Sequence, residues 1–422
     1  MKITVRVSSL IGILVFFVIL ANDCFFYYIP STVYMSETNK TLITVIAILL
    51  FVYCLINRYC KSIVQTKSGF TDRYTLTYLF IICIIAIYSL FRYDTEDIPA
   101  MMNNIVPYLF LLFYAPVMVL EHERKEIVWK MLNFYFIIWT ILIFAQVYLY
   151  SLSGVVFMGG FTNRWGNVEY RNGGMRLLHG LCFYNIMVLY NFCKLLDETN
   201  NKKDRLLHGV LAACGFYIVF FVEQSRAMTV VIIVIIIAIL LYRRLTTTGL
   251  ITNILMMAGL AIVLFATSYV SYLIKSITSV STNNNMRRYA VGHFMNTFFS
   301  NPLVGIGFTN DKLLVHGELG LAFVDDVGIF GQLARLGICF LIIYIPIIVR
   351  LYTIQKKLRK RNSTKADFIF MLFLYALLTS GSLILFDPQR IALLPIIIGT
   401  AENEYKDLIE QSLLDGQKYE EG

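Results

Sequence analysis

Twelve apolar stretches, most close to the ~20 residues a helix needs to cross a bilayer, recur along this chain and leave it few ways to fold. They lie at about 8–29, 41–57, 75–92, 100–120, 129–150, 175–195, 206–222, 227–242, 250–274, 324–349, 366–386 and 390–400. Inside hydrocarbon every backbone N–H and C=O must be satisfied within the protein, so such a succession predicts helices and not open sheet. Composition agrees, because 58% hydrophobic residues, 15% charged residues and a mean hydropathy of +0.68 exclude a soluble globule. The expected fold is all-α: a polytopic transmembrane helix bundle of about 12 spans, one integral membrane domain over residues 1–422. The basic start Met1 to Arg6 ahead of the first apolar run is compatible with a signal peptide, but that run is read as an uncleaved span.

Roughly two thirds of the 36 lysines and arginines fall in one alternating set of loops. Cytoplasmic loops retain positive charge, so this set predicts that both termini are cytoplasmic and that the chain is multi-pass in the cytoplasmic (inner) membrane. The net charge of +9 is distributed between apolar runs, facing lipid headgroups, and no nucleic-acid partner is expected. Lys356-Lys357-Leu358-Arg359-Lys360-Arg361 reads as the strongest topology anchor. The tail, 401–422, is a short acidic cytoplasmic segment. No Gly-x-x-x-x-Gly-Lys-Ser/Thr loop occurs to drive ATP-dependent transport. The eight cysteines lie in or beside apolar runs and read as small hydrophobes.

The remaining polarity gathers on the predicted outer side. An outer loop at 151–176 carries Arg164, Arg171 and Arg176 among glycines, a cradle in which guanidinium forks and close backbone N–H groups suit an anion. Glu223-Gln224-Ser225-Arg226 fills the whole gap between two apolar runs; a plain i,i+3 Glu223–Arg226 pair is the bland alternative there. A larger outer loop at 275–323 opens with Arg287-Arg288 and an amphipathic segment that fits the headgroup plane. Within the following run, Asp325, Gly328, Gln332 and Arg335 are spaced to share one helix face.

These residues resemble the O-antigen polymerase and O-antigen ligase family of membrane glycosyltransferases. The likeness rests on Glu223-Gln224-Ser225-Arg226-Ala227, on Arg287 or Arg288 followed by Asn301-Pro302-Leu303-Val304-Gly305-Ile306-Gly307-Phe308, on Asp326 with Gly328 to Gly337, and on Arg171-Asn172-Gly173-Gly174. It covers roughly residues 160 to 340. Ligase-type members often carry a histidine at the outer start of the late span, where this chain has Val324-Asp325-Asp326, its nearest histidine being His316; this departure favours polymerase over ligase.

The resemblance implies joining of oligosaccharide repeat units carried on a polyprenyl diphosphate at the outer face, yielding O-antigen, capsule or exopolysaccharide. Breaking the sugar–diphosphate bond develops negative charge that preorganised arginines stabilise best. That role falls to Arg226 and to Arg287 or Arg288, with Arg171 and Arg176 next and Arg164, Arg335 and Gln224 as further contacts. The acceptor hydroxyl needs a positioned base, for which Asp325 or Asp326 is the first choice, followed by His316 and Glu223. Arginines can carry the diphosphate without a cation, so neither metal nor cofactor is expected. Partners would be the lipid-linked oligosaccharide, membrane lipid, a chain-length regulator and a flippase of the same pathway. The rival reading is a flippase or exporter gripping the same diphosphate, disfavoured by the one-sided outer loop and the lack of an evident repeat.

Overall fold

The structure is a computed structural model; it describes residues 7–22, 37–65, 69–92, 98–156, 169–171, 174–176, 181–243, 282–309, 314–317, 320–361, 363, 365–382, 384–387 and 390–420, with the single residues 254 and 259. Those residues are helical, apart from turns and two short hairpins. Five helices are long and apolar enough to cross a membrane, or six if one bent pair counts as a span.

The first half runs α1 (Val7–Asn22), α2 (Glu37–Ile56), α3 (Arg58–Val64), α4 (Phe70–Arg92), α5 (Ile98–Leu109), α6 (Tyr114–Glu123) and α7 (Ile127–Ser153). Between α2 and α3 the chain bends by 100°. Asn57 holds that corner by accepting the backbone N–H groups of Tyr59 and Cys60, which the new helix cannot satisfy itself. Likewise the Glu121 carboxylate accepts the N–H groups of Glu126 (2.7 Å) and Val128 (2.9 Å) where α7 begins. The second half runs through a hairpin, β1 (Glu169–Arg171) with β2 (Gly174–Arg176), then α8 (Leu181–Leu196), α9 (Lys202–Tyr217) and α10 (Arg226–Tyr242). After α11 (Thr282–Ser300) come the hairpin β3 (Leu314–Gly317) with β4 (Gly320–Phe323), then α12 (Ile329–Leu336), α13 (Cys339–Lys360), α14 (Ala366–Thr379) and α15 (Leu393–Glu420).

Several expected spans take another form. The run 324–349 is no single helix: it divides into a 3-10 turn at Val324–Val327, the short α12, a break at Gly337, and α13. At 14 residues α14 is roughly 21 Å long, short of the ~30 Å hydrocarbon core, and the run 366–386 ends in a turn. Residues 384–387 of that turn, 380–391, are buried: Phe386 packs on Tyr78, Phe340 and Tyr344, and Asp387 is 0% exposed. The run 390–400 opens α15, which continues through the acidic tail to Glu420. The run 250–274 lies outside the described residues except for its single residues 254 and 259. Twelve spans are therefore not reached among the described residues.

The break at Gly337 is held by the segment after α11. Ile306 and Gly307 donate to the carbonyls of Ala334 and Arg335 (2.9 and 2.8 Å), and Ile338 donates to Pro302 (2.8 Å). The approach is so close that a Cβ on Gly337, where φ is +62°, would lie 2.4 Å from the Leu303 carbonyl.

At the basic end the tail answers the loops. Glu402 takes a forked bond from Arg350 (2.5 and 2.8 Å), Asp407 pairs with Lys125 (2.9 Å), and Glu126 pairs with both Lys194 and Lys365. Residues 401–409 at the start of the acidic tail are thus part of the packed structure.

Gly337→Ala is expected to cost at least ~2 kcal/mol, read as a lowered thermal midpoint of the purified protein, while Gly292→Ala, inside α11 and with a Cβ that meets nothing within 4 Å, keeps or slightly raises the midpoint. Equal midpoints for the two variants would remove the Leu303 contact as the reason for glycine. Burial pushes the Glu404 carboxyl above its ordinary 4.5, the nearby lysines notwithstanding. Its charged form is the penalised one. Glu404→Gln should therefore raise the midpoint as pH climbs through that elevated value, with no gain below 4.5.

Candidate functional site

Two helix breaks meet at the end remote from the lysine- and arginine-rich loops. α9 widens into a π-helical turn, Ile218–Glu223, and stops at Gln224, whose φ of 54° is left-handed. A continuous helix would set Glu223 and Arg226 three apart on one face; the left-handed residue between them ends the helix before Arg226 starts α10. The simple i,i+3 arrangement is thereby lost.

Glu223 turns inward and is 0% exposed. Asn185 of α8 donates Nδ2 to its carboxylate at 3.5 Å, and Arg176 of β2 donates Nε to its backbone carbonyl at 2.9 Å. Arg176 and Arg390 both attract the Glu223 carboxylate electrostatically. Arg390 comes from the 380–391 turn, where it pairs with buried Asp387. Direct bonds thus join β2 and α8 to the π-turn at Glu223, with the Arg390–Asp387 pair of the α14–α15 turn within electrostatic reach of its carboxyl. Gln224 is buried and donates Nε2 to the Phe221 carbonyl, and Arg226 is half-buried at the start of α10.

The same 380–391 turn touches the second predicted region. The Ile329 N–H at the start of α12 donates to the Ser380 carbonyl at 2.8 Å. Just before it lies the 3-10 turn that contains Asp325 and Asp326, and before that the hairpin in which His316 faces Leu321 in register. α11 covers this region through Ala290 and Phe294, which bury against Val324, Val327 and Ala334. Arg287 and Arg288 are exposed on its first turns. The side chains of Arg171, His316, Asp325 and Asp326, and all of Arg164, lie outside the described residues.

The shared face of Asp325, Gly328, Gln332 and Arg335 does not form, because α12 begins only at Ile329. Gln332 and Arg335 alone stand on it. Arg335 is 1% exposed, donates Nη2 to Asn104 at 2.7 Å and lies over the Tyr108 ring, whose hydroxyl donates to Gln332 at 2.9 Å. This network ties α12 to α5 inside the protein.

Sequence reasoning missed Arg390 and Asp387. Their signal was present: Asp387-Pro388-Gln389-Arg390 occupies a gap between two apolar runs as short as the one that drew attention to Glu223–Arg226. It also missed Arg92, exposed at the end of α4, which bonds Asn301 at 2.7 Å and Tyr88. Asn185 carried no such signal, being one amide within an apolar helix.

Arg335→Leu should lower stability by about 3 kcal/mol, since it removes the Asn104 bond and the cation over the Tyr108 ring from a buried site, whereas Arg287→Gln and Arg288→Gln stay within about 0.5 kcal/mol. Thermal midpoints of the three purified variants check this; an unchanged Arg335→Leu midpoint would free that arginine for a role other than packing. Among known proteins no protein-family model matches the chain, and no curated protein matches it.

Proposed function

We propose that the chain is a metal-independent oligosaccharide repeat-unit polymerase acting on polyprenyl-diphosphate-linked substrates at the outer face of the cytoplasmic membrane. The observation that carries the reading is the gathering of Arg176 and Arg390 with Glu223 and Asp387 at the end opposite the basic loops. On the positive-inside rule the basic end is cytoplasmic, which puts this cluster toward the outer leaflet and both termini inside.

In the proposed reaction the acceptor hydroxyl of one repeat unit attacks the anomeric carbon of another. The bond from that carbon to the diphosphate oxygen breaks, polyprenyl diphosphate leaves, and the hydroxyl proton passes to a carboxylate. Arg226, with Arg287 or Arg288, takes the developing charge on the leaving diphosphate, and Arg390 and Arg176 join them. Asp325 or Asp326 is the proposed base, with His316 behind. Glu223, closed off against Asn185, is better suited to orienting the arginines than to meeting an acceptor. The wider bundle of about 12 spans and the loops 151–176 and 275–323 complete the outer face on this reading.

The test is the length distribution of surface polysaccharide in a deletion strain carrying wild type or Arg226→Ala, Arg288→Ala, Arg390→Ala or Asp326→Ala, each at matched membrane abundance. The expected result is single repeat units displayed outside, with polymer formation falling by ~10²-fold or more per lost transition-state donor. Accumulation of lipid-linked units on the inner leaflet instead would make the protein a flippase and overturn the assignment. Normal chains that fail only to attach to their final acceptor would make it a ligase.

A further inference from the structure

The geometry points to a second lipid site at the basic end: we propose that a groove between α1 and α7 holds an anionic phospholipid, with one acyl chain in the groove and its phosphate on Arg124 and Lys130. This inference is independent of the proposed polymerase reaction. Both helices pack on α6, and beside the contact of the Phe16 and Phe134 rings (6.4 Å) lies a groove of about 470 Å³ walled by Ile13, Phe16, Leu120, Ile127, Met131 and Phe134. Gly12 keeps its floor open, since a Cβ there would meet only the flexible tips of Met131 (3.5 Å) and Leu120 (3.7 Å). The groove is open to its surroundings along its length, with Ile13 66% and Phe134 57% exposed.

Its occupant is decided by charge at the mouth. Arg124 and Lys130 stand there against the single carboxylate of Glu123. Several other cations at this end are held in ion pairs, Lys125 with Asp407, Lys194 and Lys365 with Glu126, Arg243 with Glu198 and Arg350 with Glu402, and none of these lines the groove. Neither Arg124 nor Lys130 enters an ion pair with a described residue. An apolar trough capped by two unclaimed cations is the complement of an acyl chain carrying a phosphate. Depth fits as well. Ile127 to Phe134 spans roughly 10 Å along α7, most of the ~15 Å of one leaflet.

The test uses the full chain in nanodiscs, with Met131→Trp as a reporter inside the groove and brominated phosphatidylglycerol or phosphatidylcholine as the quencher. Brominated phosphatidylglycerol is expected to quench at the lower mole fraction. Its advantage should shrink roughly fivefold for each cation removed in Arg124→Gln and Lys130→Gln. Gly12→Leu, which fills the trough, should weaken quenching by both lipids. Native mass spectrometry of the chain without the reporter gives the same comparison: phosphatidylglycerol adducts outlast phosphatidylcholine adducts in the wild type and lose that advantage in the double glutamine variant. Equal quenching and equal retention of the two lipids in the wild type, or an undiminished preference in the double variant, overturns the proposal.

Discussion

Backbone hydrogen bonds that a broken helix cannot make for itself organise the half of this protein that carries its polar groups. Where α12 gives way to α13, the carbonyls of Ala334 and Arg335 and the N–H of Ile338 have lost helical partners, and residues 302–307 supply them. In a low-dielectric surrounding each such group left alone costs several kcal/mol, so the segment after α11 is bound to this break as firmly as a strand to its neighbour. One further bond, from the Phe308 N–H to Ser89 at 2.9 Å, carries the same segment onto α4. The position of α11 above the hairpin and of the Asp325–Asp326 turn beside Ser380 follows from that docking.

The two ends of the molecule manage charge differently. At the basic end, carboxylates of the tail and of Glu126 neutralise cations that the loops bring close, and aromatic rings add to it, Arg350 lying over both Phe70 and Tyr405. Ion pairs exposed to water contribute little, but Glu402, 1% exposed, and Arg350, 13% exposed, form a pair whose separation would leave a buried charge. Charge there fixes the packing of α13 and α15. At the other end Arg176 bonds the backbone carbonyl of Glu223, distant from it in sequence, while Arg390 pairs with Asp387 within one turn.

The long apolar helices were legible because hydropathy reports bilayer-length segments directly, and Phe70–Arg92, Ile127–Ser153 and Lys202–Glu223 fall close to expected runs. Hydropathy is blind to where a helix stops inside an apolar run. Gly337 interrupts 324–349 without changing its mean polarity, and the stop at Thr379 depends on a turn whose Leu385 and Phe386 are as apolar as the helix before it. Arg176 and Glu223 were each legible as polar residues in odd places. Their meeting was not, because it depends on the hairpin folding back over the π-turn, a tertiary contact with no sequence period. The acidic tail was legible as charge and illegible as structure for the same reason: its partners Lys125 and Arg350 lie in other loops and helices.

The polymerase reading has to account for guanidinium groups that are already engaged within the protein. A cation held below a membrane surface without a counter-ion would pay a large desolvation penalty, so an empty site has to supply its own anions. Asp387 does this for Arg390, while Arg176 is given a neutral acceptor, the Glu223 carbonyl. On the polymerase reading, a diphosphate arriving at this place meets cations fixed in position beside a carboxylate and a carbonyl, with which a doubly charged headgroup competes. The interaction is strong because the surroundings are poorly screened, and it needs little rearrangement because the turn and the hairpin already hold the arginines. On the same reading, a position near the end of the short α14, away from bulk water, strengthens what each of a few arginines contributes to a leaving diphosphate.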